Sequence, residues 1–160
     1  MPFETLGSAP RRIAVIGGGI AGISAAARLA AHGRVIVLEA EANLAHHASG
    51  RSAALYEPRY GLPAVVELSM ASGDYFRAAK DVLSPRGLLV LGRADQADQF
   101  AHEAGDLGVE RISFAQAQAM VPILNPDKVA LAAWAEHAWD IDTDLLLQGF
   151  AKTARAHGAV

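Results

Sequence analysis

Residues Arg12 to Glu39, RIAVIGGGIAGISAAARLAAHGRVIVLE, decide the fold. RIAVI (Arg12 to Ile16) is β-branched and apolar at consecutive positions. It lacks the alternation of a half-solvated strand and reads as a parallel strand buried on both faces. GGGIAG (Gly17 to Gly22) breaks the run. ISAAARLAAH then reads as a helix, with Gly33 in the C-terminal glycine position. RVIVLE (Arg34 to Glu39) is a second buried strand. The three pieces form a βαβ unit, whose crossover is almost always right-handed.

The turn within this unit has a chemical reading. Gly17-x-Gly19-x-x-Gly22 follows a strand and opens a helix, and Glu39 stands 20 residues beyond Gly19, at the end of the next strand. Gly17 allows a tight turn, Gly19 lets backbone approach a pyrophosphate, and Gly22 lets the helix pack on the strand. The helix N-terminus presents free N–H groups and the positive end of its dipole to phosphate. Glu39 can accept hydrogen bonds from ribose hydroxyls. Ala40 follows it and no arginine comes close behind, so a 2′-phosphate has no partner and NADP is disfavoured. The turn alone does not separate NAD from FAD.

Composition bounds the rest. The chain has 160 residues, 52% hydrophobic and 19% charged, enough for a packed core. Alanine occurs 34 times, which favours helices and close helix packing. The net charge of −3 and scattered Lys and Arg argue against a nucleic-acid partner. No apolar run approaches the ~20 residues of a transmembrane span. Residues 1–12 lack an apolar core, so no signal peptide is expected. The absence of cysteine excludes disulfides, a Cys nucleophile and thiolate metal sites. A cytoplasmic protein is the default expectation.

Beyond residue 40 the pattern changes. Residues 1–10 read as a loose tail. Residues 40–61 have no sustained period and read as a long loop with a short helix after Ser49; such loops are usually functional or disordered. Pro63 suits the first turn of a helix, with Val65, Leu68, Tyr75, Phe76, Ala79 and Val82 on one face. SPRG (Ser84 to Gly87) reads as a turn before the strand LLVLG. A helix over Asp95 to Gly108 follows, then a brief strand in VERISF. Ser113 and Gln116 form a capping-box signature for the next helix, which ends at Pro122. Val129 to Ala135 reads as a strand. Asp142 is the expected N-cap of a last helix that Gly158 terminates. AHGAV at the end repeats AHGRV at Ala31 to Val35, a helix end feeding a strand. No third strand comparable with the first two is visible, so the chain reads as the front part of a longer protein and an incomplete fold.

HHASGRSAALYEPRYG (His46 to Gly61) is suited to a flat ring system. Ser49, Gly50, Ser52, Ala53 and Ala54 are small enough for close approach, and Ser49 and Ser52 carry hydroxyls for phosphate, ribityl or ring acceptors. Arg51 can neutralise phosphate or orient the loop. Ser49 can equally cap a helix N-terminus, and capped N-termini also bind anions.

Together with the glycine turn, this segment resembles the FAD-dependent D-amino-acid oxidase and dehydrogenase superfamily. Within it the bacterial D-arginine dehydrogenases are most similar, through SGRSAA, SPRG, VPIL…DKV and the stretch Asp140 to Phe150. The resemblance implies FAD as cofactor. Gly17, Gly19, Ile20, Ala21, Gly22, Glu39 and Ala40 would hold the adenosine diphosphate half, and Ala48, Ser49, Gly50, Arg51, Ser52, Ala53, Ala54 and Leu55 would line the flavin. Tyr60 matches a tyrosine that bonds a substrate carboxylate, although an amphipathic core tyrosine fits it too. Two departures concern substrate choice. Leu88 stands where the relatives carry a guanidinium-binding glutamate, and Leu55 replaces a histidine near the substrate. A cationic substrate would lose its charge partner, so a neutral or apolar D-amino acid is expected.

Other constellations are set aside. His46-His47 has no further His or carboxylate at ligand spacing in sequence, so no metal is expected. Asp140, Asp142 and Asp144 imitate a calcium loop, but Leu145 and Ala151 fall where Gly and Glu are needed. There is no G-x-S-x-G and no Ser-His-Asp order. Trp134 and Trp139 read as core or interface residues.

The expectation is therefore an α/β protein in three stretches: the tail at 1–10, a Rossmann-like FAD-binding start and flavin loop at 11–62, and at 63–160 a mainly helical excursion with short strands that begins the substrate region. It would oxidise the Cα–N bond of an amino acid or amine. The catalytic residues are expected outside this chain, and the acceptor, oxygen or a quinone, is open; a quinone would make the protein peripheral to the membrane. Two rivals remain at this stage: a non-catalytic nucleotide-binding or interaction module, and an NAD-dependent dehydrogenase.

Overall fold

The structure, a computed structural model, describes residues 11–160; the tail expected at 1–10 lies outside them. The described chain divides into two compact units, one made of residues 11–53 with Asp142–Val160, the other of Ala54–Ile141. The last helix packs against the first, which joins the end of the described chain to its beginning.

In the first unit, β1 (Arg12–Ile16), α1 (Ile20–Leu29) and β2 (Arg34–Leu38) form the anticipated βαβ, with β1 and β2 parallel from Arg12 opposite Arg34 to Ile16 opposite Leu38. Helix α5 (Thr143–Ala156) lies along α1. Ile23, Leu147 and Ala151 form one buried cluster, and Ala26, Ala27, Ala30, Val35, Ala154 and Ala159 another. Alanines at the α1 contact let the backbones come close, as the composition suggested. Asp142 caps α5 as expected, its Oδ1 accepting from the Leu145 N–H at 2.8 Å.

Two expectations for this unit need correction. The strands are not buried on both faces: Ile13, Val15, Val35 and Val37 point toward the helices, while Ile16, Ile36 and Leu38 are 86%, 48% and 55% exposed. Both helices cover the same face of the sheet. Gly33 is not a left-handed cap either; α1 ends at Leu29, and a Cβ on Gly33 would stand 2.6 Å from the Arg11 carbonyl oxygen. Gly158 does take the left-handed conformation, φ +81°. Beyond it Val160 bonds β2 on both sides, its carbonyl accepting from Val37 N–H at 2.7 Å and its N–H donating to Val35 at 3.2 Å. The repeated AHG-x-V is therefore a repeated structural event: each copy turns a helix end into a position beside this sheet.

The second unit holds two three-stranded antiparallel sheets. In one, β8 (Trp139–Ile141) lies between β3 (Leu55–Tyr56) and β4 (Leu83–Pro85). In the other, β7 (Leu131–Ala135) lies between β5 (Leu88–Gly92) and β6 (Glu110–Ile112). Helices α2 (Pro63–Ala78), α3 (Ala97–Leu107) and α4 (Phe114–Met120) accompany them. Phe100 and Ala104 of α3 pack on Ala133 of β7, and Gly108 closes α3 in the left-handed conformation. Ser113 and Gln116 make the full capping box of α4.

Strand content here exceeds the helical excursion expected. Ser84 and Pro85 of the SPRG turn belong to β4, residues 40–61 contain a 3-10 turn at Ala48–Gly50 as well as β3, and β8 was not anticipated. The buried face of α2 differs in part. Phe76 and Ala79 turn inward and Val82 is buried, as expected, but Val65, Leu68 and Tyr75 are exposed, and Val66, Ser69 and Gly73 turn inward in their place. The reason is Tyr56: its ring packs edge-on to Phe76 and beside Trp139, and its hydroxyl donates to the Ser69 carbonyl at 2.9 Å. A bonded aromatic on β3 thus outweighs the larger apolar residues of the opposite face.

The β4–β5 turn depends on one glycine. Gly87 has φ +78°, and an added Cβ would lie 2.0 Å from the Trp134 ring. Gly87→Ala should cost at least ~2 kcal/mol, combining left-handed strain with overpacking. Gly105, inside α3, has nothing within 4 Å of such a Cβ; Gly105→Ala should stabilise by about 0.5–1 kcal/mol. Urea unfolding of the two variants should move the midpoint in opposite directions.

Candidate cofactor site at the start of the first helix

Helix α1 begins without a cap of its own. Gly19, at its N-cap, is extended (φ −77°, ψ 179°) and has no side chain to offer the first N–H groups. The missing acceptor comes from far along the chain: Ser49 Oγ accepts from the Ile20 N–H at 3.0 Å. The two motifs that the sequence presents separately, the glycine turn and the SGRSAA loop, thus meet at one helix terminus. Ser49 does cap a helix, but α1 and not a helix of its own.

Sterics around the turn explain its glycines. A Cβ on Gly22 would fall 1.9 Å from the Gly17 carbonyl oxygen and 3.3 Å from Val15, so this is the close contact between helix and strand. Gly17, at φ +102°, makes the turn itself while its N–H still donates to Leu38 at 2.8 Å. A Cβ on Gly19 would meet Ser49 Oγ at 3.2 Å.

Gly18 is the residue that sequence reasoning missed. It is buried, its N–H donates to Glu39 Oε2 in a short hydrogen bond, and its carbonyl accepts from the Ala45 N–H at 3.0 Å. A Cβ there would collide with Leu44 at 2.6 Å and Glu39 at 2.8 Å. The only signal was a third consecutive glycine, at a position the fingerprint leaves free.

Glu39 accepts a second backbone bond, from the Glu41 N–H to Oε1 at 3.0 Å. The Glu41 and Gly18 N–H groups hold its carboxyl below the ordinary value of 4.5, against a smaller opposing effect of burial. Glu39 also lines a cavity of about 180 Å³ with Ile23, Val37, Leu44 and Arg155. From Glu39 the loop returns: Ala45 takes φ +59°, Gly50 N–H donates to Ala45 at 2.9 Å, and Arg51 Nε donates to the His46 carbonyl at 3.1 Å. Arg51 therefore orients the loop, one of the two roles its sequence allowed.

Most of the candidate cofactor residues belong to this one unit: Gly17, Gly19, Ile20, Ala21, Gly22, Glu39, Ala40 and Ala48 to Ala53. Ala54 and Leu55 belong to the other. So do the substrate candidates: Leu55 and Tyr60 are 38% and 72% exposed, and Leu88 is half-buried on β5. The structure brings those three to different places, Leu55 to β3, Leu88 to β5 of the other sheet, and Tyr60 to the turn before α2.

Two further groups were not anticipated. Glu57, in YEPRYG, is buried; its Oε1 accepts from the Arg59 N–H at 3.0 Å, while Oε2 has no hydrogen bond and lies 3.3 Å from His137 Nε2. His137 Nε2 bonds the Leu107 carbonyl at 3.0 Å. And although sequence spacing offered His46 and His47 no carboxylate, the folded loop places Glu41 beside them.

The residues present fit a dinucleotide. The amides of Ala21 and Gly22 follow the capped Ile20 N–H and have no acceptor within the helix, the backbone of Gly19 is open but for Ser49 Oγ, which a Cβ would meet at 3.2 Å, and an acidic side chain is fixed at the end of β2. Among the described residues, no helix is long and apolar enough to cross a membrane.

Comparisons with known proteins agree with this geometry. Solved structures with similar folds include L-proline dehydrogenase from P. horikoshii (22% identity, TM-score 0.76, 94% of this chain and 43% of that one). Another is glycine oxidase from Geobacillus kaustophilus (20%, 0.74, 93% and 46%). A third is L-alpha-glycerophosphate oxidase from Mycoplasma pneumoniae with FAD bound (16%, 0.77, 95% and 44%). The chain spans less than half the length of each. The family described as FAD dependent oxidoreductase matches residues 12–160. With its parallel βαβ start, its glycine turn capped by Ser49 and this match over nearly its whole length, the chain belongs to the FAD dependent oxidoreductase family, whose cofactor is FAD.

Proposed function

We propose that residues 11–53 and 142–160 hold the adenosine diphosphate half and part of the flavin of FAD in an enzyme that oxidises the Cα–N bond of a neutral or apolar D-amino acid, in the cytoplasm, with oxygen or a quinone as final acceptor. The observation that carries the proposal is the Ser49–Ile20 hydrogen bond. It sets the SGRSAA loop on the end of α1 where a pyrophosphate binds, which a generic dinucleotide turn does not require. Amino-acid chemistry is favoured by relatives such as L-proline dehydrogenase, glycine oxidase and the amino acid oxidase NikD. The D-configuration rests on the resemblance carried by SGRSAA and by Asp140 to Phe150.

Each residue then has a task. Ala21 and Gly22 N–H groups and the α1 dipole receive the pyrophosphate. Ser49 accepts from Ile20, which leaves its hydroxyl proton free to donate. Glu39 accepts from the ribose. When bound, FAD would supply the two-electron acceptor for this oxidation, in which the substrate would lose a hydride from its α-carbon and a proton from its amine to give an imine that water would hydrolyse. Tyr60 would bond the substrate carboxylate, and Leu55 and Leu88 would present apolar surface to its side chain.

Gly19→Val in the full-length protein should abolish FAD binding, because the side chain fills the space over the backbone and strikes Ser49. Glu39→Ala should only weaken it, by roughly 1.5–3 kcal/mol for bonds to a charged acceptor. Flavin fluorescence titration separates the two, and equal small losses would contradict the assignment of the turn.

For the substrate, kcat/KM should be higher for D-Leu, D-Met and D-Phe than for D-Arg and D-Lys, since no carboxylate offsets the desolvation of a cation. Leu88→Glu should shift the preference toward D-Arg without changing FAD content. Tyr60→Phe should raise KM for all five together. A parent enzyme that already prefers D-Arg removes Leu88 from the pocket. A full-length protein that binds no FAD overturns the whole reading.

A further inference from the structure

We propose that Glu41, His46 and His47 form a binding site for a divalent transition-metal ion of the zinc, nickel or copper class, independent of the flavin chemistry. The site lies on the loop that returns from Glu39 to Ser49. One ligand atom from each residue, two imidazole nitrogens and a carboxylate oxygen, lies within 4.8 Å of the others. His47 Nε2 and Glu41 Oε1 are already 3.0 Å apart, and the two imidazoles meet edge to face with centroids 4.9 Å apart.

A tetrahedral ion with bonds of about 2.0–2.1 Å wants its ligand atoms about 3.3 Å from one another. The His47–Glu41 pair meets that separation already. The remaining atoms lie within 4.8 Å, and both histidines are exposed to solvent. Three protein ligands with the fourth position open to solvent form a complete set for such an ion.

Donor chemistry selects the metal. Two imidazoles with one carboxylate suit zinc, nickel and copper, whereas magnesium and calcium take sites built from oxygen. The charge balance favours a cation as well. Glu41 would bind it directly, its Oε1 already beside His47 Nε2. Arg51 sends its Nε to the His46 carbonyl, not to either imidazole.

Position gives the site a consequence. The Glu41 N–H holds Glu39, and the same loop ends at Ser49 on the α1 terminus. An ion joining Glu41 to His46 and His47 would cross-link the loop between these two anchors and hold it in the conformation the structure has.

The test uses the tag-free full-length protein, stripped with a chelator and titrated with Zn²⁺ against a chromophoric competitor. One Zn²⁺ should bind per chain, and millimolar Mg²⁺ or Ca²⁺ should not displace it. His46→Ala, His47→Ala and Glu41→Gln should each weaken binding at least ~10-fold, the smallest loss typical even of residues that only support metal ligands. His102→Ala should change nothing: that exposed histidine pairs with Asp106 at 3.4 Å, outside the proposed site. The double variant His46→Gln/His47→Gln keeps polar side chains in the loop and should abolish the site while the protein still binds FAD. Zn²⁺ should also raise the unfolding temperature of the parent and leave that double variant unmoved. Failure of the parent to bind one Zn²⁺, or unchanged affinity in the double variant, overturns the proposal. Loss of FAD binding with zinc binding intact would instead count against the flavin assignment alone.

Discussion

The first turn of α1 is the constraint around which the first unit is built. A helix start leaves its leading N–H groups without acceptors, and burying them without partners is costly. The usual remedy, a Ser, Thr, Asp or Asn at the N-cap, is absent here because that position is Gly19. The cap is borrowed from Ser49, and a chain of backbone bonds between residues 39 and 50 delivers it. Gly18 bonds Glu39 and Ala45, Glu39 bonds Glu41, and Ala45 bonds Gly50. The left-handed turn at Ala45 reverses the chain toward the helix. The conformation of this loop and the start of the helix it caps rest on the same set of hydrogen bonds.

The second constraint is that α1 must be covered. Its own segment cannot do this, and the next helix in sequence, α2, belongs to the other unit. Coverage comes from α5, some 120 residues later, through Leu147 and a run of alanines. The consequence is an interrupted unit: its halves are separated in sequence by all of Ala54–Ile141. Asp142 marks the return. Its side chain caps α5 one residue after β8 ends, so the point where the chain re-enters the first unit is defined by a hydrogen bond as well as by packing.

How much of this the sequence disclosed follows the range of the forces involved. The βαβ start, the capping box at Ser113 and Gln116, the Asp142 cap and the glycines at 108 and 158 all depend on residues within a few positions, and they were legible. β3, β4 and β8 are two or three residues long and pair across distant segments, Tyr56 with Trp139 and Ser84 with Asp140. Such strands have no periodicity of their own, because it is the partner that makes them strands. The face of α2 was legible in part: Phe76, Ala79 and Val82 do turn inward, whereas Val65, Leu68 and Tyr75 do not, because the Tyr56 ring packs on Phe76 and its hydroxyl holds the Ser69 carbonyl. Within the candidate site, residue types were legible and connections were not. Ser49, Glu39 and the glycines stood out singly, whereas Gly18 matters only through what it touches.

Glu39 illustrates how backbone hydrogen bonds can hold a carboxylate in place and still leave it capacity to accept more. An ionised carboxylate offers about four acceptor positions. The backbone takes one on each oxygen, Gly18 on Oε2 and Glu41 on Oε1, and the carboxylate keeps acceptor capacity beyond them. The backbone bonds keep the group ionised and aimed, which lowers the entropy lost when a ligand arrives. Buried Glu57 is the opposite case: it satisfies one oxygen on the backbone and leaves the other without a hydrogen bond, with only a histidine already bonded elsewhere beside it. Two glutamates of like chemistry are thus assigned different work by their surroundings. One is half open, fully ordered and free to accept more. The other is enclosed, and its spare acceptor faces protein.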